Sequence, residues 1–409
     1  MTIHVPEILA PAPNLESLRL ALHYGADAVY CGGEAYSLRA KADNFTFAEL
    51  AEGIDFAHQR GKKVYVTANI YAHNRDIAEA ESYFLALKEI APDGILISDP
   101  GMFRLAKRLC PDLSLHISTQ ANTTNYESVR FWRELGADRI VLARELTFPE
   151  IREIREASDP AMAIEAFVHG AMCISYSGRC LISNVMTGRD SNRGECTHPC
   201  RWQYSLVEEQ RPGEYFPVEE NERGTYFFHS KDLCMIEHIP ELVSSGIDSF
   251  KIEGRMKSDL YVATVVRAYR RAVNDYLENP DNYRKNLPWY TAEVAKTTNR
   301  GFCTGFFFGK PDADSMVYTS STYRTGSVYL GTVEAIADDG SVMIRQKNKL
   351  SVGETIEIMK PDGRNLPAKL LRLRDHAGLD IESAPHPKEQ LYLTLSEPAD
   401  AFDVLRRNP

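Results

Sequence analysis

Short apolar runs rich in β-branched residues alternate with amphipathic stretches through the first two-thirds of the chain. Glu7-Ile-Leu-Ala10, Asp27–Cys31, Lys63–Ala68, Gly94–Ser98, Ser114–Ser118, Arg139–Ala143 and Ala163–His169 read as strands. Helical spacing separates them: Leu15–His23 with Gly25 as its stop, a helix opening at Thr46 as N-cap, and segments near 79–90, 101–109, 125–135 and 148–157. Near-continuous apolar strands joined by helices predict parallel βαβ units. Asp248–Glu253 supplies an eighth strand, and a long helix from about Asp259 to Leu277 closes the economical reading, an α/β fold of the (β/α)8 TIM-like barrel kind. Thr225–His229 offers one strand more. An open doubly wound sheet is the alternative, but the Gly-rich phosphate fingerprint often found after its first strand is missing.

The pattern changes after the barrel. Residues 281–322 form a connector rich in Asn, Pro and Tyr, and its Phe306-Phe-Phe308 run predicts packing onto the barrel rather than base stacking. From 323 to 409, short alternating runs (Tyr329–Glu334, Asp339–Ile344, Val352–Met359, Tyr392–Leu395) with turn residues between them predict a small antiparallel β-barrel. The domain reading is therefore a barrel over 1–280 carrying an insertion at 171–228, a connector, and a C-terminal β-barrel domain.

A (β/α)8 barrel keeps its chemistry at the C-terminal ends of its strands. That end collects Tyr36, Arg39, Lys41, Asn69, Asp99, Ser118, Gln120, Asn122, Arg144, Glu145, His169, Glu253 and Arg255. Three guanidinium forks, on Arg39, Arg144 and Arg255, suit a carboxylate or phosphate ligand. After the seventh strand comes the chemically loaded stretch. Cys173, Cys180, Cys196 and Cys200 stand in the spacing C-x6-C-x15-C-x3-C, half of the chain's eight cysteines within 28 residues. Four thiolates suit an iron–sulfur cluster. They equally suit tetrahedral zinc, as four sulfurs or as three plus His198, and the spacing matches neither a paired zinc pattern nor a ferredoxin run. A thiol nucleophile, Cys173 or Cys180 with His169 as base, is a third reading that leaves the other cysteines without a role.

Composition adds limits. With 44% hydrophobic and 25% charged residues in 409, the chain is an ordinary globular protein large enough for two domains. A net charge of −10 argues against broad adhesion to nucleic acid or anionic membrane, though not against a local basic patch. No secretory leader or long apolar span is read, so a cytoplasmic protein with reduced thiols and no membrane partner is expected. Motifs for serine hydrolysis (G-x-S-x-G), zinc proteolysis (H-E-x-x-H) and P-loop phosphate binding are absent.

The stretch Glu165-x-Phe167-x-x-Gly170-Ala-Met-Cys173-x-x-Tyr-Ser-Gly178-x-Cys180-x-Ile-Ser183 resembles the signature of the U32 peptidase (collagenase-like protease) family. So do Gly25–Tyr30, Tyr36-Ser-Leu-Arg39, Ser98–Gly101, Ser230–Leu233, Lys251-Ile-Glu-Gly-Arg255 and Lys347–Gly353. Within the family, Tyr36–Arg39 and Cys196–Trp202 favour the branch of tRNA hydroxylation proteins that make 5-hydroxyuridine at wobble position 34. The resemblance implies a [4Fe–4S] cluster on Cys173, Cys180, Cys196 and Cys200, with prephenate as co-substrate and the tRNA anticodon loop as partner. An electron donor or partner protein is also expected. Arg39, Arg144 and Arg255 are the expected prephenate ligands, and Tyr176 or Trp202 would stack on the unstacked base. His169, Glu165 and Tyr176 are the candidates for the chemistry itself, with no role assigned. Peptide hydrolysis, which gave the family its name, is the alternative function.

Overall fold

A computed structural model describes residues 5–38, 44–173, 175–202, 205–206, 216–217, 229–311, 316–317 and 326–408. Eight parallel strands close on themselves: β1 (Glu7–Pro11), β2 (Ala28–Gly32), β3 (Lys63–Ala68), β4 (Gly94–Ile97), β5 (Leu115–Ile117), β6 (Arg139–Val141), β7 (Ala163–Gly170) and β8 (Ser249–Ile252). Strand β8 pairs in parallel with both β7 and β1, which closes the cylinder. The expected barrel and its strands are present, and the open sheet is excluded. Residues such as Ile8, Val29, Val64, Ile95, Ile117, Ile140, Ile164 and Phe250 are wholly buried, as strands covered on both faces require.

Helices α1 (Leu15–His23), α2 (Phe47–His58), α3 (Asn74–Ile90), α4 (Pro100–Leu109), α5 (Tyr126–Glu134) and α6 (Phe148–Ala157) fill the crossovers. Their starts are written locally. Thr46 with Glu49, and Thr147 with Glu150, form capping boxes, while Asp99 and Asn125 cap α4 and α5. Each cap is worth about 1 kcal/mol.

Charged groups occupy the lower interior of the barrel. Arg139 donates to Glu7 at 2.6 Å and to Glu165 at 2.8 Å. Lys251 Nζ donates to Glu165 at 2.6 Å, and the Tyr65 and Ser249 hydroxyls donate to Glu7 at 2.8 Å each. Every ion is paired across strands, the condition under which buried charge is tolerated.

By compactness, residues 1–22, 26–257 and 299–323 form one unit, and residues 23–25, 258–298 and 324–409 form another. In the first unit, the strand Asp232–Cys234 runs antiparallel to β7 and pairs in parallel with Phe302–Cys303. Phe307 packs on Phe148 with ring centroids 4.8 Å apart, the packing role expected of the phenylalanine run. Of the expected strand Thr225–His229, residues 225–228 lie outside the described residues, and His229 pairs antiparallel with Val317.

In the second unit, the helix Asp259–Glu278 is followed by the helix Pro280–Ala295, which occupies the start of the connector. Pro280 is tolerated in the first turn, but Pro288 sits inside the helix and disguised it in the sequence. Six antiparallel strands then close a second barrel. They are Val328–Ile336, Val342–Arg345, Thr355–Met359, Asn365–Arg374, Gln390–Leu395 and Val404–Arg407. Its core is Leu330, Val333, Ile344, Ile356, Ile358, Leu370, Leu391, Leu393 and Leu405. No described helix is long and apolar enough to cross a membrane.

Candidate functional site at the barrel mouth

Strand β7 ends at Gly170, whose φ of +113° and close neighbour Glu253 (2.7 Å from where a Cβ would stand) leave room for no side chain. There the chain leaves the cylinder, and residues 171–173 and 175–202 fold across the strand ends. Loops from three crossovers hold them. From the β6–α6 loop, Arg144 Nη1 donates to Ala171 O at 2.5 Å, and Glu145 accepts from the Ser177 amide at 3.0 Å and from its hydroxyl at 3.2 Å. From the β5–α5 loop, Gln120 O lies against Gly178, 2.2 Å from the place a Cβ would take. From the β3–α3 loop, the Tyr71 amide donates to Asn192 O at 3.0 Å, and from the first turn of α3, Asp76 takes a two-pronged ion pair from Arg193 at 2.7 and 2.9 Å.

Internal hydrogen bonds then join the two halves of the insertion. Ser191 Oγ and Asn192 Nδ2 both donate to Cys180 O, at 3.0 and 2.7 Å. The buried Ser183, in α7 (Ile182–Thr187), accepts from the Thr197 amide at 3.1 Å, and its hydroxyl lies 3.0 Å from that of Thr197. These staples draw the Cys196–Cys200 segment toward the Cys173–Cys180 segment.

The result is a cavity with a water-accessible volume of about 110 Å³, whose lining includes the sulfur-bearing residues Cys173, Cys180, Cys196 and Cys200 together with Arg144, Glu145, Tyr176 and His198. None of the four cysteines is in a disulfide. Burial raises the Cys173 thiol above its usual range, and Cys180 and Cys196 push the same way. Burial also opposes ionisation of Cys180. Hydrogen bonds from Ser175, Ser191 and the Ile182 and Ser183 amides outweigh it and bring that thiol down. The His198 amide points at Cys196 Sγ, 3.4 Å away. The donor set is thus four thiols with amide and hydroxyl donors aimed at sulfur, which is the surrounding an iron–sulfur cluster uses to spread its charge. Among the described residues no three His, Cys, Asp or Glu side chains are grouped tightly enough to hold one metal ion. A cluster makes the smaller demand on closeness, because each thiolate bonds a different iron.

A second cavity, of about 70 Å³, lies within the strand ends and shares Thr119, Gln120 and Arg144 with the first. Leu38, Leu96, Val141 and Phe167 give it an apolar wall; Thr67, Asn69, Ser118 and Glu253 add polar groups; Arg144, Lys251 and Arg255 bring positive charge.

The residues singled out from sequence separate accordingly. The four cysteines, Tyr176 and Arg144 come together around the first cavity, and Arg144 also reaches the second. Its guanidinium lies 3.9 Å over the Phe167 ring. Arg255 faces the second cavity but is buried, donating to Ser37 Oγ at 2.6 Å, Leu38 O at 2.8 Å and Asn44 at 2.8 Å. Arg39 lies outside the described residues. Glu165 is wholly buried as the counter-ion of Arg139 and Lys251. His169 is 1% exposed and lines neither cavity. Burial, with Lys257 adding to it, pulls its imidazole from 6.5 down to about 3. Lys251 was missed. Its only signal was a lysine in an apolar strand, which puts a cation inside the cylinder. Glu145 was noted only as a rim residue, yet it anchors the loop before Cys180.

Comparison with known proteins follows the same lines. The model of peptidase family U32 matches residues 13–317, and that of the peptidase family U32 C-terminal domain matches residues 326–406. The tRNA hydroxylation protein P1 of Bacillus subtilis is 41% identical over 403 residues, covering 98% of this chain and 94% of that one. The tRNA hydroxylation protein P of Escherichia coli is 36% identical over 452 residues, covering 98% and 97%. The 23S rRNA 5-hydroxycytidine C2501 synthase of Escherichia coli is 30% identical and is covered over 63% of its length. Among solved structures, the U32 peptidase Mk0906 aligns with a TM-score of 0.39 at 17% identity, over 62% of this chain and 94% of that one.

Proposed function

The chain belongs to peptidase family U32, and we propose that it is an iron–sulfur RNA-modifying enzyme that hydroxylates uridine 34 of tRNA to 5-hydroxyuridine with prephenate as co-substrate. The observation that carries this reading is the convergence of Cys173, Cys180, Cys196 and Cys200 on one cavity at the barrel mouth. The names of relatives aligned over nearly the whole chain supply the substrate class.

In this reading the four cysteines hold a [4Fe–4S] cluster, which supplies one-electron redox chemistry when bound. The chain's own residues do the rest. The central cavity takes prephenate, with its carboxylates toward Arg144 and the positive floor at Lys251 and its ring against Leu38, Leu96 and Phe167. Arg255, tied to Ser37 and Leu38, shapes the wall as well as adding charge. Arg39 belongs to the same expected ligand set. The wobble base, splayed from a single-stranded loop, stacks on Tyr176 or Trp202, both exposed beside the cysteines. Arg144 borders both cavities.

Peptide hydrolysis has less behind it. The expected pair, Cys173 or Cys180 with His169 as base, is not assembled, because His169 is buried and lines no part of the cysteine cavity.

The test combines colour and product. Anaerobically purified protein should show visible iron–sulfur absorption, and Cys180→Ser should remove it. In a deletion strain complemented with C180S, mass spectrometry should find wobble uridine unmodified. Retained colour and retained 5-hydroxyuridine in that variant refute the assignment.

A further inference from the structure

We infer that Tyr71 and Arg179, with Tyr176 beside them, form a stacking platform that receives a single-stranded RNA segment at the lip of the cysteine cavity; this rests on the RNA reading above. Tyr71 belongs to the β3–α3 loop, and the insertion grips its backbone from both sides. Its amide donates to Asn192 O at 3.0 Å and its carbonyl accepts from Arg193 at 2.8 Å. That grip fixes a ring that is 37% exposed. The Arg179 guanidinium sits 5.9 Å from the ring centroid and donates to the Tyr71 hydroxyl. A tyrosine held this way, with a cation bonded to its hydroxyl and its ring face left open, is preorganised rather than free to collapse onto the surface.

Two further facts point to a polyanionic, flat-faced occupant. Arg179 is exposed, and among the described residues its guanidinium has no carboxylate partner, only Tyr71 and Gly178 O. In a chain of net charge −10, residues 171–202 carry Arg179, Arg189 and Arg201, beside Arg193 that is paired with Asp76, against Asp190 and Glu195. Tyr176, 62% exposed, and Arg179 bracket Gly178, which lines the cavity, as does Cys180 next to it. Aromatic faces stack on any base and unpaired arginines meet phosphates, so the pair reads single-stranded RNA and not a duplex. The apolar residues Leu181, Val185 and Met186 nearby would suit a protein partner, but they carry no charge and no ring.

The experiment uses the anaerobic holo-protein and a fluorescein-labelled 17-nucleotide anticodon stem-loop, with an equally long duplex as control, followed by fluorescence anisotropy across a salt series. Tyr71→Ala and Arg179→Ala should each weaken binding of the stem-loop roughly tenfold, and R179A should lower the salt slope by about one. Tyr71→Phe should keep most of the affinity, since the ring remains. Visible absorption and melting temperature should match those of the parent in all three. Stem-loop affinity within twofold of the parent for both alanine variants overturns the platform, as does an equal loss on the duplex. So does weakening produced only by a Leu181→Ser/Val185→Ser variant, which would mark a protein-binding ridge. If the parent binds the stem-loop and hydroxylates tRNA while the alanine variants bind as well as it does, the platform alone falls. If the parent does neither, the RNA reading falls and takes the platform with it.

Discussion

Replacing Glu165 distinguishes a structural carboxylate from a reacting one. Its side chain is 0% exposed and accepts from Lys251 Nζ at 2.6 Å and Arg139 at 2.8 Å. Glu165→Gln keeps the shape but removes the charge. Arg139 retains Glu7 at 2.6 Å, so the group left without a counter-ion is Lys251, whose side chain is only 3% exposed. Removing one partner of a buried pair costs about 3–5 kcal/mol. The Tyr30 ring, 4.3 Å from Lys251 Nζ, offsets part of that, on the order of 1 kcal/mol. The expected loss is then about 3 kcal/mol, which at roughly 2 °C per kcal/mol for a domain this large lowers the melting temperature by about 6 °C. Calorimetry at neutral pH reads the shift, and the double variant Glu165→Leu/Lys251→Met should recover at least half of it, because an apolar pair replaces a buried ion pair at little cost. Hydroxylation in that variant separates the two roles further: stability returns, while any dependence on the cation at the floor of the central cavity remains lost. A melting temperature within about 1 °C of the parent in E165Q, accompanied by abolished product, would refute the reasoning and restore Glu165 as a group acting on substrate.

Two other expectations concern the mouth of the barrel. His169 has its imidazole pulled down to about 3 by burial, from an unfolded value of 6.5. Between those values the unfolded chain takes up a proton that the folded one refuses, so this contribution to stability is complete above about pH 6.5 and is lost on acidification toward pH 3, at up to about 1.4 kcal/mol per unit. Chemical denaturation of H169Q against the parent across that window should show a flatter pH dependence in the variant, and parallel curves would contradict it. Gly178→Ala should loosen the insertion without unfolding the barrel. The new methyl would stand 2.2 Å from Gln120 O at a φ of +73°, so the loop carrying Cys180 must lift. Visible absorption should fall severalfold in G178A while the main melting transition stays, and unchanged absorption would show that the clamp at Gln120 does not set the cysteine geometry.

Each barrel strand was legible because burial on both faces demands an unbroken apolar run, and the helix start at Thr46 announced itself through a side chain that caps its own backbone. What stayed hidden was written between distant parts of the chain. Glu165 beside the cysteine motif looks like chemistry in sequence, since nothing local reveals Arg139 and Lys251 closing over it from neighbouring strands. In the second unit, the strand Val404–Arg407 was not among those expected. Arg406 is fully buried, its guanidinium shared between Glu293 at 3.0 Å and Glu357. The long strand Asn365–Arg374 was obscured by Pro367 and by basic residues on its outer face.

The cysteine spacing itself shows why sequence could name the residues and leave the metal open. In a short zinc knuckle, the turn between two cysteines sets the distance between their sulfurs, and the spacing therefore carries the geometry. Here the fifteen residues between Cys180 and Cys196 contain α7, a 3₁₀ turn at Ser191–Arg193 and the Arg193 side chain that reaches Asp76 at 2.7 Å. Where the sulfurs end up is decided by contacts to the first turn of α3 and to the β5–α5 and β6–α6 loops, which lie 32 to 117 positions away in the chain. The barrel rim is therefore part of the thiol site. A substitution at Asp76 or Glu145, neither of them a sulfur donor, acts on the cysteines through the loops it holds, and a peptide of residues 171–202 alone lacks the partners that bring the four together.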